Sequence, residues 1–89
     1  MGRLRVAVLR GGPSNEYDVS LKTGESVLDA LRHEQNASKY EPIDVTITRS
    51  GEWLVRGYIR DPLSVVNSVD AVFLALHGAY GEDGQVQRM

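Results

Sequence analysis

Glu16 and His77 are the side chains of this 89-residue sequence whose type and surroundings best suit chemistry. Glu16 lies in Gly11-Gly12-Pro13-Ser14-Asn15-Glu16-Tyr17-Asp18-Val19-Ser20, a glycine turn with a carboxylate that leads into a helical pattern. A helix N-terminus offers unbonded N–H groups and partial positive charge, a natural seat for a carboxylate or phosphate. Glu16 beside it could hold an ammonium, so this pair suits both poles of a zwitterion such as an amino acid. The competing reading is a solvated loop acid that stabilises the first helical turn. His77 opens His77-Gly78-Ala79-Tyr80-Gly81-Glu82-Asp83-Gly84 after an apolar run, and Gly78 leaves its ring uncrowded. It could donate to a carboxylate or a developing oxyanion. A histidine hydrogen-bonded within its own loop is the alternative.

Other candidates point elsewhere. The first loop fails the G-x-G-x-x-G fingerprint after Gly12, and no Gly-Lys-Ser/Thr follows to make a phosphate-binding loop. Glu82 and Asp83 are adjacent carboxylates, which raises the question of Mg²⁺. Sequence neighbours point apart, however, and turn or cap chemistry suits Asp83 better. His33 falls at a helix end, where the dipole or solvent accounts for it. Trp53 and Tyr58 read as hairpin packing rather than a platform for stacking bases.

The elements that position these loops follow from periodicity. Leu4 to Leu9 is a short apolar run stopped by Gly11-Gly12-Pro13, a buried strand entering a loop. From Val19 to about His33, Gly24, Val27, Leu28 and Leu31 share one helical face, with Asp18 or Ser20 as the cap. Gly24 weakens that helix by up to about 1 kcal/mol relative to Ala, which suggests close packing. Tyr40 to Thr48 alternates, with Ile43, Val45 and Ile47 on one face. Ser50-Gly51 turns the chain, Trp53 to Val55 returns as an edge strand, and Asp61-Pro62 opens a short helix. Asp70 to Leu76 is nearly all apolar, as in a strand covered on both faces. Gly84 to Met89 reads as the first turn of a helix. A helix that short needs more chain to be stable, so the sequence reads as the front piece of a longer protein. Together these make an α/β domain with a mainly parallel sheet and right-handed crossovers. Both candidate loops then sit beyond the carboxyl ends of strands, where such sheets place ligands.

Composition narrows the function further. Ten Lys and Arg against twelve Asp and Glu leave a net charge of −2, and only Arg3, Arg5 and Arg10 cluster. That gives no basis for a sequence-independent grip on nucleic acid. Cysteine is absent, which excludes disulfides and thiolate chemistry. No apolar run approaches the ~20 residues of a membrane span. The apolar stretch after Arg5 is too short for a secretory leader and is cut by Arg10, so a cytoplasmic protein is expected.

Taken together, the two loops resemble the opening of D-alanine–D-alanine ligases. In that family a strand leads into Gly-Gly-x-Ser-x-Glu-x-x-Val-Ser and a helix, here Gly11 to Ser20. A second signature, Ala-Leu-His-Gly then Gly-Glu-Asp-Gly, stands here as Ala75 to Gly78 and Gly81 to Gly84, with Val86-Gln87 after it. The resemblance covers the whole chain but only the family's N-terminal domain, a small Rossmann-like (pre-ATP-grasp) unit. It implies that the complete enzyme joins two D-alanines for peptidoglycan, using ATP and Mg²⁺ through an acyl phosphate. At matching positions it implies that Glu16 binds the ammonium of the first D-alanine and that the helix start at Val19-Ser20 lies against that substrate. His77 would contact its carboxyl or acyl-phosphate end. The nucleotide, the Mg²⁺ ligands and the second D-alanine would belong to segments absent here, so the 89 residues alone are expected to be inactive. Homodimerisation is also implied. Arg10, Tyr17-Asp18 and Arg88 depart from the family's usual residues. The alternatives are a stand-alone amino-acid-binding or assembly module, or another ATP-grasp carboxylate–amine ligase.

Overall fold

The computed structural model describes residues 2–13 and 15–76, and the backbone of residues 85–88. Strand β1 (Leu4–Gly11) lies at the centre, because its run Val6-Ala7-Val8-Leu9 is apolar on both sides and needs cover on both. It pairs in parallel with β2 (Tyr40–Ile47) on one side and β5 (Ala71–Leu74) on the other. β3 (Trp53–Val55) and β4 (Tyr58–Ile59) extend the sheet antiparallel beyond β2, and β6 (Gln85–Arg88) pairs antiparallel with β5. The strand order is β4-β3-β2-β1-β5-β6, with three parallel strands at its heart.

Alternation along β1 divides the core into two layers. Ala7 and Leu9 join Val45, Ile47, Val72 and Leu76 beneath α3 (Pro62–Asn67), which contributes Val65. Val6 and Val8 join Ala75 beneath α1 (Tyr17–Arg32), which contributes the fully buried Leu28. The two helices thus cover opposite faces. α3 starts as the sequence predicts: Asp61 caps it by accepting from the Ser64 N–H at 3.3 Å, and Pro62 takes the first turn.

Gly24 has the packing role that its helix position suggests. A Cβ there would lie 2.5 Å from Arg10 Cδ and 2.6 Å from Arg10 Cβ. The Arg10 side chain runs under α1 and is only 17% exposed. Its Nε and Nη2 donate to the two Asp44 carboxylate oxygens at 2.9 and 2.6 Å, and Nη1 donates to the Leu21 carbonyl at 3.0 Å. The bond to Asp44 holds the guanidinium pKa above its ordinary value, so the cation persists at every accessible pH. Gly24→Ala should therefore lower stability by about 1 kcal/mol in urea unfolding. Overpacking of ~1–3 kcal/mol outweighs the gain in helix propensity. An increase in stability would show that Arg10 moves aside freely.

Four expectations are corrected. α1 begins at Tyr17 rather than Val19, and Glu16 is its N-cap residue without a side-chain capping bond; neither Asp18 nor Ser20 caps it. Ser20 cannot, because its hydroxyl is bonded to the Gly11 N–H and the Ala75 carbonyl. A further four-residue turn, α2 (Glu34–Ala37), follows at His33, whose Nδ1 accepts from the Gln35 N–H at 3.5 Å. β3 is not the sheet edge, because a two-residue turn at Arg56 and Gly57, both at positive φ, brings β4 outside it. Trp53 consequently packs on the core while Tyr58 is 75% exposed, so the two do not form the expected packing pair. Finally, Gln85–Arg88 is strand rather than helix: the unpaired edge of β5 offers a ladder of hydrogen bonds that one isolated helical turn cannot match.

Candidate functional site

The carboxyl ends of β1, β2 and β5 meet where the sequence places its first loop. Gly11 and Gly12 both adopt φ +95°, which turns the chain sharply out of β1. The Gly12 N–H donates to the Ile47 carbonyl at 2.7 Å, tying the turn to the end of β2. An added Cβ at Gly11 would run into the Ile47 carbonyl oxygen, so this close approach requires glycine.

Ser20 makes the second tie. Its hydroxyl is wholly buried, accepts from the Gly11 N–H at 2.8 Å and donates to the Ala75 carbonyl at 2.5 Å. The Ala75 N–H in turn donates to the Leu9 carbonyl at 2.9 Å. One side chain on the first turn of α1 therefore fastens the glycine turn to the segment leaving β5, two residues before His77. The family resemblance sets the helix start at Val19-Ser20 against a substrate; in the structure the Ser20 hydroxyl bonds backbone groups of Gly11 and Ala75 and ties the glycine turn to the segment leaving β5. His77 itself, with the loop 77–84 that follows it, lies outside the described residues.

Glu16 stands at the head of α1, and its carbonyl accepts the first helical bond, from the Ser20 N–H at 2.9 Å. The helix supplies no partner for the N–H groups of Tyr17, Asp18 and Val19. Val19 is 47% exposed on this first turn. The arrangement therefore presents two carboxylate-bearing residues, Glu16 and Asp18, at the positive end of a 16-residue helix, beyond the carboxyl ends of the parallel strands.

Sequence reasoning missed a cation at this end. Arg49 lies two residues past β2, and its guanidinium carbon sits 4.4 Å from the centroid of the Tyr17 ring. Its Nη2 is 3.9 Å from Asp18 Oδ1. No local pattern signals this, because β2 brings residue 49 to residue 17 only after the sheet is formed. Nearby, Leu9, Gly12, Pro13, Ile47, Trp53 and Leu76 line a shallow apolar recess of about 260 Å³ on the α3 side. Among the described residues no three His, Asp or Glu side chains come together in a way that could hold a metal ion.

This is a domain of the open α/β class, with the glycine turn after β1 and the segment leaving β5 at the carboxyl ends of its parallel strands. The chain belongs to the family described as D-ala D-ala ligase N-terminus, whose pattern matches residues 5–67. A D-alanine–D-alanine ligase of Solibacter usitatus is 40% identical over 85 residues, covering 96% of this chain and 25% of that protein. D-alanine–D-alanine ligase A of Brucella suis is 32% identical over 114 residues, covering 97% of this chain and 31% of its own. Among solved structures, the VanG D-Ala:D-Ser ligase of Enterococcus faecalis matches 74% of this chain and 18% of its own. Its TM-score is 0.50 and its identity 33%. The chain thus spans about a quarter to a third of the curated relatives' length and corresponds to their N-terminal domain.

Proposed function

We propose that this domain holds the first D-alanine of an ATP-dependent D-alanine–D-alanine ligase that makes a peptidoglycan precursor in the cytoplasm. The observation that supports this reading is Glu16 at the head of α1, fastened by Ser20 to the segment that runs into His77. Glu16 takes the substrate ammonium, the N-terminal turn at Val19-Ser20 lies against the substrate, and His77 meets its carboxyl end. The names of the relatives agree on D-alanine and differ in the second partner, D-alanine or D-serine. The substrate they share is the one that Glu16 would hold.

Activation of the carboxylate as an acyl phosphate is the chemistry ATP and Mg²⁺ supply in this reading. The described residues do not fit either group, lacking a metal-binding cluster and the lysine of a phosphate-binding loop. In this reading nucleotide and metal belong to the remaining domains of the complete ligase. Homodimerisation of the complete enzyme is part of the same proposal.

A coupled ADP assay tests the reading. The complete ligase should release ADP only when D-alanine is present, and the 89 residues alone should release none. D-alanine-dependent ADP release by the 89 residues would overturn the division of labour. A complete protein that ignores D-alanine and turns over with another amino acid would point to a different carboxylate–amine ligase.

A further inference from the structure

Glu16 can hold an ammonium in one place only if the first turn of α1 is held in one place. Ser20 fixes the inner side of that turn. The outer side is fixed by residues the family motif does not contain. Tyr17, the first residue of α1, lays its ring against Gly11: a Cβ added at Gly11 would lie 3.0 Å from Tyr17 Cε2. Arg49 then covers the Tyr17 ring at 4.4 Å and reaches Asp18 at 3.9 Å.

Arg49 itself rises from a stiff base. The turn that carries it is closed by Thr48 N–H to the Glu52 carbonyl at 2.8 Å and Gly51 N–H to the Thr48 carbonyl at 2.9 Å. A third bond joins the Glu52 N–H to Thr48 Oγ1 at 3.0 Å. β2, which leads into this turn, is bonded to the glycine turn through the Ile47 carbonyl. The chain β2–Arg49–Tyr17–Gly11 therefore closes on itself around the residue next to Glu16. Charge adds a second effect. Asp18 is a carboxylate two residues from Glu16 and would compete for a cationic ligand; Arg49 faces it and offsets its charge.

We propose that Arg49 is a positioning residue of the first-substrate site: stacked on Tyr17 and paired with Asp18, it fixes the first turn of α1 and so sets where Glu16 receives the substrate ammonium. The inference rests on the reading of Glu16 given above. Arg49 itself touches no substrate, and its effect is on binding rather than on bond making. A surface cation over a half-buried ring is a modest interaction, so the expected change is modest too.

The test is steady-state kinetics of the complete ligase, with the KM for the first D-alanine measured at saturating second substrate. Arg49→Ala should raise that KM roughly two- to fivefold and leave kcat little changed. Tyr17→Leu should raise it as well, and the losses should combine to less than their sum in the double variant, since the two share the stack while only Arg49 offsets Asp18. Tyr17→Phe keeps the ring and should behave as the parent. Arg49→Lys keeps the cation and should recover part of the loss. Should Arg49→Ala fail to fold, Arg49→Gln keeps the length without the charge and is expected to show the raised KM. A lowered Tm with an unmoved KM would assign Arg49 to stability alone and overturn the proposal. Additive losses in the double variant would also overturn it. Glu16→Gln measured in parallel separates the two claims: a large effect there with none in Arg49→Ala removes only the role of Arg49. No effect in Glu16→Gln removes the first-substrate reading and this inference with it.

Discussion

Glu16→Gln in the complete ligase should lower kcat/KM for D-alanine by about tenfold or more. The substitution keeps the shape of the side chain and removes its charge. A charge-assisted bond to a substrate ammonium contributes about 1.5–3 kcal/mol, which corresponds to roughly one to two orders of magnitude in kcat/KM. The head of α1 offers no compensation, because its own partial charge is positive and favours the opposite pole of the substrate. His77→Gln should cost a similar factor if its ring donates to the substrate's carboxyl end. Unchanged kinetics in either variant would refute the role of that residue.

Gly11→Ala should destabilise the fold by about 2–4 kcal/mol, the sum of a strained positive φ and a forced collision. In a domain of this length that lowers Tm by roughly 10–25 °C. The collision is with the Ile47 carbonyl oxygen, a backbone atom already accepting from Gly12, so it cannot swing away as a side-chain tip would. Gly51→Ala isolates the two contributions. Gly51 adopts φ +93°, nearly the value at Gly11, but a Cβ there meets nothing within 4 Å. Its expected cost is strain alone, about 1 kcal/mol. Equal losses at the two positions would show that the Ile47 contact yields easily. Because the Gly11 N–H also holds Ser20, Gly11→Ala should impair the complete enzyme by more than its loss of stability explains.

Much of this architecture is legible before any coordinates. The apolar run of β1, the alternation of β2 and the double cover of β5 follow from periodicity, and Asp61-Pro62 announces α3. What escapes is set by contacts distant in sequence. The start of α1 is misread by two residues because Ser20 looks like a cap and is instead bonded to Gly11 and Ala75, the latter 55 residues away. β4 is missed because its turn places Arg56 at φ 54°, a conformation usually signalled by glycine or asparagine. For the site, the position of Glu16 at a helix start is written in the local pattern. The stack of Arg49 on Tyr17 is not, since it exists only once β2 lies beside β1. Arg10, a departure from the family's usual residue, finds the carboxylate of Asp44 on the neighbouring strand, a partner that its local sequence does not announce.

The outermost strand bears on solubility. β4 is two residues long, its side chains Tyr58 and Ile59 are 75% and 65% exposed, and Arg56 and Arg60 stand at either end. An open sheet edge invites another chain to add a strand, and exposed aromatic and aliphatic groups make the invitation stronger. Here a newcomer finds only two residues to pair with, between two cations that would repel the same edge of a second copy. The β4 edge is thereby kept from growing into a continuous ribbon while remaining uncovered.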